Sequence, residues 1–422
     1  MHITHLSLTN FRNYGRLEVD FSSGATLLHG DNAQGKTNLL EALYYLATTR
    51  SPHANHDGQL INWDAEQTFG PLVVGRLVAD VETARAKRQI EIRLIREYKN
   101  NGKPSFRREA LVNRRKVRLM DLLGQLQVVL FLPEDVQLIT GSPAGRRRYV
   151  NITLCQIDSH YCRVLSQYNK VLEQRNAVLR QLAEGQSSLD VLAIFSEKLV
   201  GLGGQIFARR SLFFAAINRE TQRIHYENLT QGRETLQVRY LPRFQAGQDG
   251  SDLDTAVAHA EWLAAHQTDV EAVTAKFAAE LKTAQPHDLA RGVTTVGPHR
   301  DDWYFWLNGR HLGHYGSRGQ QRSAMLALKM AEINWMESNS GEPPVLLLDE
   351  VVAELDAQRR SLLLQYVQRV SQAILTATDP AMFPIEFLEQ TRSMLVENGR
   401  VAFDESGFDK GALDKNQELD MT

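Results

Sequence analysis

The chain opens on alternation. Ile3, Leu6 and Leu8, then Leu17, Val19 and Phe21, put apolar residues at or near every second position, the period of a strand with one dry face. Ala25-Thr26-Leu27-Leu28-His29 is a short apolar strand, and Asn38 to Leu46 follows in helical rhythm after a glycine-bounded loop. From Leu72 to Val117 the pattern is β again: Val74-Arg76-Val78, Ile90 to Leu94, and Leu111-Val112-Asn113. Such alternation predicts antiparallel strands with a wet face.

The period changes after Pro133. Gly145–Leu182, Leu189–Tyr226 and the Ala-rich Ser251–Thr283 read as amphipathic helices, interrupted by a strand-like Leu236 to Tyr240 and a predicted linker at Gln285–Gly297. No segment sustains heptads long enough for an extended coiled coil. Trp303 to Leu307 returns to β, and Asn308-Gly309 predicts a hairpin, because a type I′ turn needs positive φ at both central residues. A helix is expected from Gln320 to Met336, a buried strand at Val345–Leu348, a helix at Ser361–Val370 and a second buried strand at Ala373–Thr376. Asp404–Thr422 is polar, with little to bury, and is expected to be a mobile tail.

Composition bounds the class. A chain of 422 residues with 43% hydrophobic content can bury a real core, as about three units or as two with one built from separated segments. Forty-eight Lys+Arg against 50 Asp+Glu leave a net charge of -2, which excludes a protein that coats nucleic acid by bulk charge but not one with a local basic patch. Cys155 and Cys162 are too few for a disulfide framework and read as buried residues of a cytoplasmic chain. No apolar stretch follows a basic start at Met1–His5, and Arg209 and Arg210 interrupt Leu199–Ile217, so neither a signal peptide nor a membrane span is expected.

Gly30-Asp31-Asn32-Ala33-Gln34-Gly35-Lys36-Thr37 fits the phosphate-loop pattern G-x-x-x-x-G-K-[ST] between a strand and a helix. Its glycines let backbone N–H groups curl around phosphate oxygens, and the helix start adds positive potential. Lys36 is expected to reach the β- and γ-phosphates of ATP, and Thr37 to hold Mg²⁺. Val345 to Glu350 is an apolar run ending in two carboxylates, placing Asp349 as a second Mg²⁺ ligand and Glu350 as the group that polarises an attacking water. Ser317-Arg318-Gly319-Gln320-Gln321 feeds a helix. It reads either as an N-cap or as an anion-binding turn.

The order of these three elements resembles the ATP-binding-cassette family. Ala353-Glu354-Leu355-Asp356 looks like the loop that crosses to a partner subunit, and Thr376 to Asp379 stands at the switch, with Thr378 and Asp379 where the family carries His. Leu8 to Tyr14 and Gln34 to Ala42 are similar to SMC-like DNA-repair ATPases. Leu132 to Asp135 with Gly141-Ser142-Pro143 and Arg146-Arg147-Arg148, Gly297 to Asp302, and Gly319 to Arg322 with Leu326 to Lys329 narrow the resemblance to the recombination-mediator members of that branch. His53 and Asn151 depart from the pattern, standing where an Arg and an acid are usual.

The resemblance implies an α/β, SMC-like ABC ATPase head with mixed and antiparallel sheets and a helical second lobe. It divides the chain into a lobe at 1–125, a helical arm at 126–290, a returning segment at 291–403 and the tail at 404–422. It implies an ATP-dependent homodimer in which Ser317, with Gly319 and Gln320, meets the γ-phosphate held by Lys36 of the other copy. Arg12, Asn13 and Asn38 would approach the nucleotide from the same copy, while Glu134 and Asp135 would lie on a loop that couples the lobes. Implied partners are duplex DNA and single-strand/double-strand junctions, RecR and in some pathways RecO, with a functional link to RecA and no membrane. Thirteen basic residues between Arg85 and Arg118, among them Arg107, Arg108, Arg114, Arg115, Lys116 and Arg118, form either a DNA-binding ridge or a solvated face. Arg146–Arg148 with Arg209 and Arg210 form a second basic candidate, and Trp303, Phe305 and Trp306 read mainly as packing. A transporter's nucleotide-binding subunit shares the three motifs, but the long helical insert and Phe11-Arg12-Asn13 argue against it. Intact Lys36, Asp349 and Glu350 argue against a non-hydrolysing scaffold.

Overall fold

The structure is a computed structural model that describes residues 1–68, 72–98, 104–245 and 253–403. The expected acidic tail, Lys99 and Lys103 lie outside the described residues. In chain order the elements begin β1 (His2–Phe11), β2 (Tyr14–Asp20), β3 (Gly24–His29), α1 (Lys36–Thr48), α2 (Trp63–Thr68), β4 (Leu72–Glu82), β5 (Lys87–Tyr98), β6 (Pro104–Val112), β7 (Arg115–Val117), α3 (Leu119–Leu122) and β8 (Val128–Phe131). Then come α4 (Gln137–Thr140), α5 (Pro143–Ile157), α6 (Ser159–Ala183), α7 (Leu189–Ile224), β9 (Leu236–Leu241), α8 (Leu253–Ala265), α9 (Val270–Arg291), β10 (Asp302–Leu307), β11 (Arg310–His311), α10 (Leu312–Tyr315) and α11 (Arg318–Ser340). The described chain closes with β12 (Val345–Asp349), α12 (Ala357–Arg369), β13 (Gln372–Ala377), α13 (Ile385–Leu388), β14 (Arg392–Glu397) and β15 (Arg400–Phe403).

Two compact units result: Met1–Asp135 with Met336–Thr422, and Val136–Trp335. These bounds differ from those expected at 125/126 and 290/291. Val128–Phe131 pairs in parallel with β12, which keeps the chain in the first unit until Asp135. β10 pairs antiparallel with β9 along its whole length, which keeps the segment after 291 in the second.

The first unit stacks two six-stranded sheets about α1. One is antiparallel, in the order β2-β1-β4-β5-β6-β7. The other runs β15-β14-β3-β13-β12-β8, and every pairing in it is parallel except that of β15. All five residues of β12 and all six of β13 are buried, which accounts for the apolar runs Val345–Leu348 and Ala373–Leu375. The sheets share one core, with Leu6, Leu8, Leu77 and Ile92 from the first, Leu28, Leu347 and Ile374 from the second, and Leu39, Leu43 and Leu46 of α1 between them. Gln372, a buried polar residue, ties β13 to β1: Ile3 N donates to its Oε1 at 2.7 Å, and its Nε2 donates to Ile3 O at 2.8 Å. β14 and β15 went unread in the sequence, although their turn is also an Asn-Gly pair. Asn398 and Gly399 have φ of 49° and 69°, like the predicted Asn308-Gly309 turn at 49° and 77°.

In the second unit α6, α7 and α9 pack as long helices beside a three-stranded sheet ordered β11-β10-β9. α7 and α9 approach closely because Gly204 is a glycine; a Cβ there would collide with Thr274. By length and composition Leu189–Leu229 could cross a membrane, but the segment carries a fully buried cation. Arg210 donates to Asp301 Oδ2 at 2.7 Å, to Pro298 O at 2.5 Å and to Tyr161 and Asn151. Cys155 and Cys162 are free and buried, and the hydrogen bond between them, with burial, pushes the Cys155 thiol well up.

The expected linker at 285–297 is corrected: α9 runs through Pro286 to Arg291 and ends on Gly292 at φ 66°. Pro286 has no N–H to donate back along the helix. The turn beyond it is held instead by Asp288, which accepts from buried Arg175 at 2.8 Å and from Thr295 Oγ1 at 2.6 Å. Both Arg175 and Asp288 are 1% exposed or less. Arg175→Met should therefore destabilise the fold by about 3–5 kcal/mol, because it strands a buried carboxylate. Chemical denaturation should show this, with Arg175→Met/Asp288→Leu regaining part of the loss.

Candidate functional site

The loop Gly30–Gly35 leaves the C-terminal end of buried β3 and enters α1 at Lys36. Gly30 and Gly35 sit at φ 136° and 120°, and a Cβ on Gly30 would strike the carbonyl oxygen of Val396 in β14. Asp31, Asn32 and Ala33 form the exposed crest, with Ala33 at φ 65°. Lys36 is buried. Its Nζ donates to Gly30 O at 2.7 Å and Asp31 O at 3.0 Å and lies 3.5 Å from Glu350 Oε1.

Asp349 ends β12 beside this loop. Thr37 Oγ1 donates to its Oδ1 at 3.0 Å, and Thr376 Oγ1 of β13 donates to the same oxygen at 2.7 Å. Burial raises the Asp349 pKa, opposed by the two threonine hydrogen bonds and by His53, while nearby Glu350 reinforces the rise. Glu350 adopts φ 52°, a left-handed conformation that a non-glycine residue holds only when its surroundings enforce it. Its amide donates to Thr376 Oγ1 at 3.0 Å. Thr376 thus orders both acids, a role the sequence reading missed. The only signal was a hydroxyl one residue before the end of an apolar strand.

Asn13 braces the loop from β1–β2, donating from Nδ2 to Gln34 O at 3.0 Å and accepting from Asn38 Nδ2 at 2.8 Å. The β14–β15 turn braces it from the other end of the chain: Asn398 N donates to Gln34 Oε1 at 2.6 Å, and Gly399 N to Gln34 O at 3.2 Å. Arg12 is clamped bidentately on buried Glu41, at 2.7 and 2.9 Å, and also donates to Gln59 O. Ser51 Oγ donates to the same Glu41.

The remaining expected residues lie elsewhere. Ser317 and Gln320 form a reciprocal capping box at the start of α11: Gln320 N donates to Ser317 Oγ at 3.2 Å, and Ser317 N to Gln320 Oε1 at 2.9 Å. Gly319 is in its first turn, and Ser317 is exposed. Asp356 caps α12, Asp379 accepts from Ala381 N at 2.8 Å, and Thr378 is exposed. Glu134 is in a short turn where Asp135 Oδ2 accepts from Leu132 N at 2.8 Å.

The basic stretch does not form one ridge, because neighbouring strand residues face opposite sides. Arg107 and Lys116 both pair with Glu109, and Lys116 first and then Arg107 hold that carboxyl below its usual range. Arg108 turns to the other face and pairs with Asp57 at 2.8 Å, and Arg118 pairs with Asp121 at 2.8 Å. Arg114 and Arg115, at the β6–β7 turn, are exposed and have no ion-pair partner among the described residues. In the second unit Arg146 and Arg210 are buried in ion pairs, which removes them from the second basic candidate. Trp303 and Phe305 are core residues, and Trp306 lies under Arg239, 4.7 Å from its ring centroid.

Residues 2–400 match the family described as RecF/RecN/SMC N terminal domain. A relative from Chloroflexus aurantiacus, "DNA replication and repair protein RecF", is 43% identical over 408 residues, spanning 95% of this chain and 99% of the relative. One of the same name from Symbiobacterium thermophilum is 37% identical over 411 residues, spanning 97% and 100%. A solved structure of the recombination mediator protein RecF–ATPrS in the RecFOR pathway is similar at TM-score 0.77 and 29% identity, over 96% of this chain and 98% of its own. The Smc head domain of Pyrococcus furiosus shares the fold, at TM-score 0.50 and 15% identity over 99% of each chain.

Thr376→Val keeps the side-chain shape and removes the hydroxyl shared by Asp349 and the Glu350 amide. It should lower stability by about 1–3 kcal/mol, the cost of leaving buried polar groups short of a partner. It should lower ATP hydrolysis at least ~10-fold, the rate equivalent of about 1.4 kcal/mol of lost organisation. Thermal melts and a phosphate-release assay would read the two effects.

Proposed function

We propose a function from one premise, that the chain belongs to the RecF family within the RecF/RecN/SMC N-terminal domain group: it is an ATP-dependent DNA-binding protein of replication and recombinational repair. The observation that carries the reading is the knot of Thr37, Asp349 and Thr376 beside the Lys36–Glu350 pair, assembled from segments 312 residues apart in sequence. A transporter subunit is not favoured, since relatives of the RecF name match end to end.

The residues fit ATP. A glycine-built cradle of backbone N–H groups, a buried ammonium and the start of a 13-residue helix all suit phosphate oxygens. They also fit Mg²⁺, because the Thr37 hydroxyl and the Asp349 carboxylate are the hard oxygen donors that ion prefers. Bound there, Mg²⁺ would neutralise charge between the β- and γ-phosphates. Lys36 holds the same oxygens. Glu350 takes the proton of a water as that water attacks the γ-phosphorus and ADP leaves. Its enforced backbone conformation and the hydrogen bond from its amide to Thr376 Oγ1 fix where the carboxylate stands.

Hydrolysis is slow, stimulated by DNA, and serves as a clock in the cytoplasm. ATP closes a homodimer in which Ser317, Gly319 and Gln320 of one copy meet the nucleotide of the other. Asp356, Thr378 and Asp379 lie along that contact, and hydrolysis reopens it. Arg12 and Asn13 flank the nucleotide from within the same copy. The closed dimer engages single-strand/double-strand junctions and, with RecR and in some pathways RecO, helps load RecA. Exposure and the lack of carboxylate partners make Arg114 and Arg115 the best-supported DNA contacts in the first unit, ahead of Arg107, Arg108, Lys116 and Arg118.

Glu350→Gln should lower hydrolysis by about 10²–10⁴-fold, the usual contribution of a positioned base, while trapping ATP-dependent dimers on gapped DNA. Lys36→Arg should lose both dimers and DNA binding. Light scattering and DNA anisotropy with and without ATP would check this, and association and affinity that ignore ATP would refute the clamp. Separately, Arg114→Ala/Arg115→Ala should reduce the slope of log affinity against log salt by about 0.9 for each phosphate that is no longer neutralised.

A further inference from the structure

Four arginines of the second unit gather around the segment Thr294–Asp302, a motif that the nucleotide site leaves unused. Arg147 Nη1 donates to Asp301 O at 2.7 Å, Arg210 Nη1 to Pro298 O at 2.5 Å, and Arg300 Nη2 to Thr294 O at 3.5 Å. Arg146 is bidentate on Asp302, at 2.6 and 2.8 Å. Among the described residues two carboxylates face them, and both are engaged. Asp301 is buried and accepts from Arg210, the Tyr240 hydroxyl and the Arg243 amide, while Asp302 is occupied by Arg146. Arg147 and Arg300 have no ion-pair partner among the described residues. His299 adds no charge: burial holds its pKa at about 3, with Tyr168 on Nδ1 and the Thr294 carbonyl on Nε2.

Of these four arginines, Arg147 and Arg300 are therefore the two without an ion pair among the described residues. Arg300 is exposed and Arg147 is half-buried. Each guanidinium carries five N–H donors in a planar fork, and each makes a single hydrogen bond among the described residues, to a carbonyl. Burial lowers the Arg147 pKa, Asp301 and Asp302 oppose the fall, and the like charges of Arg210 and Arg300 add to it.

We propose that Arg147 and Arg300 form a clamp for one phosphodiester group of a nucleic-acid backbone. The inference rests on the reading of this chain as a DNA-binding ATPase and supplies that reading with a contact in the second unit. Two forks match phosphate oxygens better than point charges would. The site offers side-chain donors at an exposed surface, without the glycine loop and helix start that enclose a free nucleotide at Lys36. It would hold a chain that passes over it and would read no base sequence.

The test uses the full chain with Arg147→Gln, Arg300→Gln and the double variant. The probes are a fluorescent duplex in a salt series, inorganic phosphate and polyglutamate. The double variant should bind duplex about 10-fold more weakly, with a salt slope smaller by about 0.9, the value for one phosphate. Phosphate should raise the melting temperature of the wild type more than that of the double variant, which keeps the phosphate loop at Lys36. DNA-free ATP hydrolysis should stay unchanged, which reports that the variants are folded. Should Arg147→Gln fail to fold, Arg300→Gln against Arg300→Lys carries the same test, and lysine should restore the slope but not the full affinity. A variant slope and affinity equal to wild type would overturn the clamp, as would a loss confined to polyglutamate. A wild type that binds no duplex at any salt would sink the DNA-binding reading itself, and with it the phosphodiester as ligand.

Discussion

A carboxylate at the end of a buried strand is the constraint on which the nucleotide site depends. Asp349 cannot be reached by bulk water well enough to offset its charge, and burial raises its pKa accordingly. The fold answers with two hydroxyls on one oxygen, Thr37 from the start of α1 and Thr376 from the end of β13. That requirement fixes the register of β12 against β13, where Asp349 stands opposite Thr376, and the register of β13 against β3, from which the phosphate loop departs. It also sets Glu350, whose amide uses the same Thr376 hydroxyl and whose left-handed backbone turns the chain sharply away from the sheet. One satisfied acid thus aligns three strands and a helix.

The parts of this arrangement that were legible in the sequence are those with a strong local signature. Apolar runs at 345–348 and 373–375 announced strands buried on both faces, and Gly30–Thr37 carried its own geometric demand for backbone freedom. The interactions that close the site were not legible, because they join residues far apart and use ordinary side chains. Thr376 is one hydroxyl among many, and Gln34 is the variable position of a motif until Asn398 and Gly399 reach it. The missed β14–β15 hairpin is different: the Asn-Gly rule that found residues 308 and 309 applies equally at 398 and 399. The linker error at 285–297 has a tertiary cause. Pro286 argues locally for an end to the helix, but the Arg175–Asp288 pair and Thr295 hold the following turn in place.

Charge was the feature that sequence reading resolved least. A run of basic residues looks like a surface, yet strand alternation divided the run between Arg85 and Arg118 between two faces and set a carboxylate against Lys87, Arg93, Arg107, Arg108, Lys116 and Arg118. Helical geometry sorted Arg146 to Arg148 in the same way. Consecutive positions on α5 turn about 100° apart, from 3.6 residues per turn, so Arg146 enters the core while Arg147 stays at its margin. An arginine in an apolar helix is then a question about its partner. Arg210 has Asp301 and is structural, whereas Arg147 meets only a carbonyl.

The near-zero net charge follows from this pairing. A chain with 48 basic and 50 acidic residues could carry a diffuse balance, but here much of it is local, with acids placed where a cation would otherwise be buried alone or face water unpaired. The cations outside such pairs have positions that the total hides. A polyanion gains little from a paired cation, since each pair presents little field beyond its own immediate neighbourhood in physiological salt. The proposed contacts lie at cations without an ion pair among the described residues, Arg114 and Arg115 at their turn and Arg147 and Arg300 in the second unit. Two small sites of this kind bind weakly one at a time. Where one polymer meets two copies of such a site, the second contact would form at the high effective concentration set by the first. The proposed ATP-closed dimer would double the number of such sites in one assembly. The low net charge thus accords with the proposed DNA binding, which would appear on closure and fade on opening as weak single contacts add or separate.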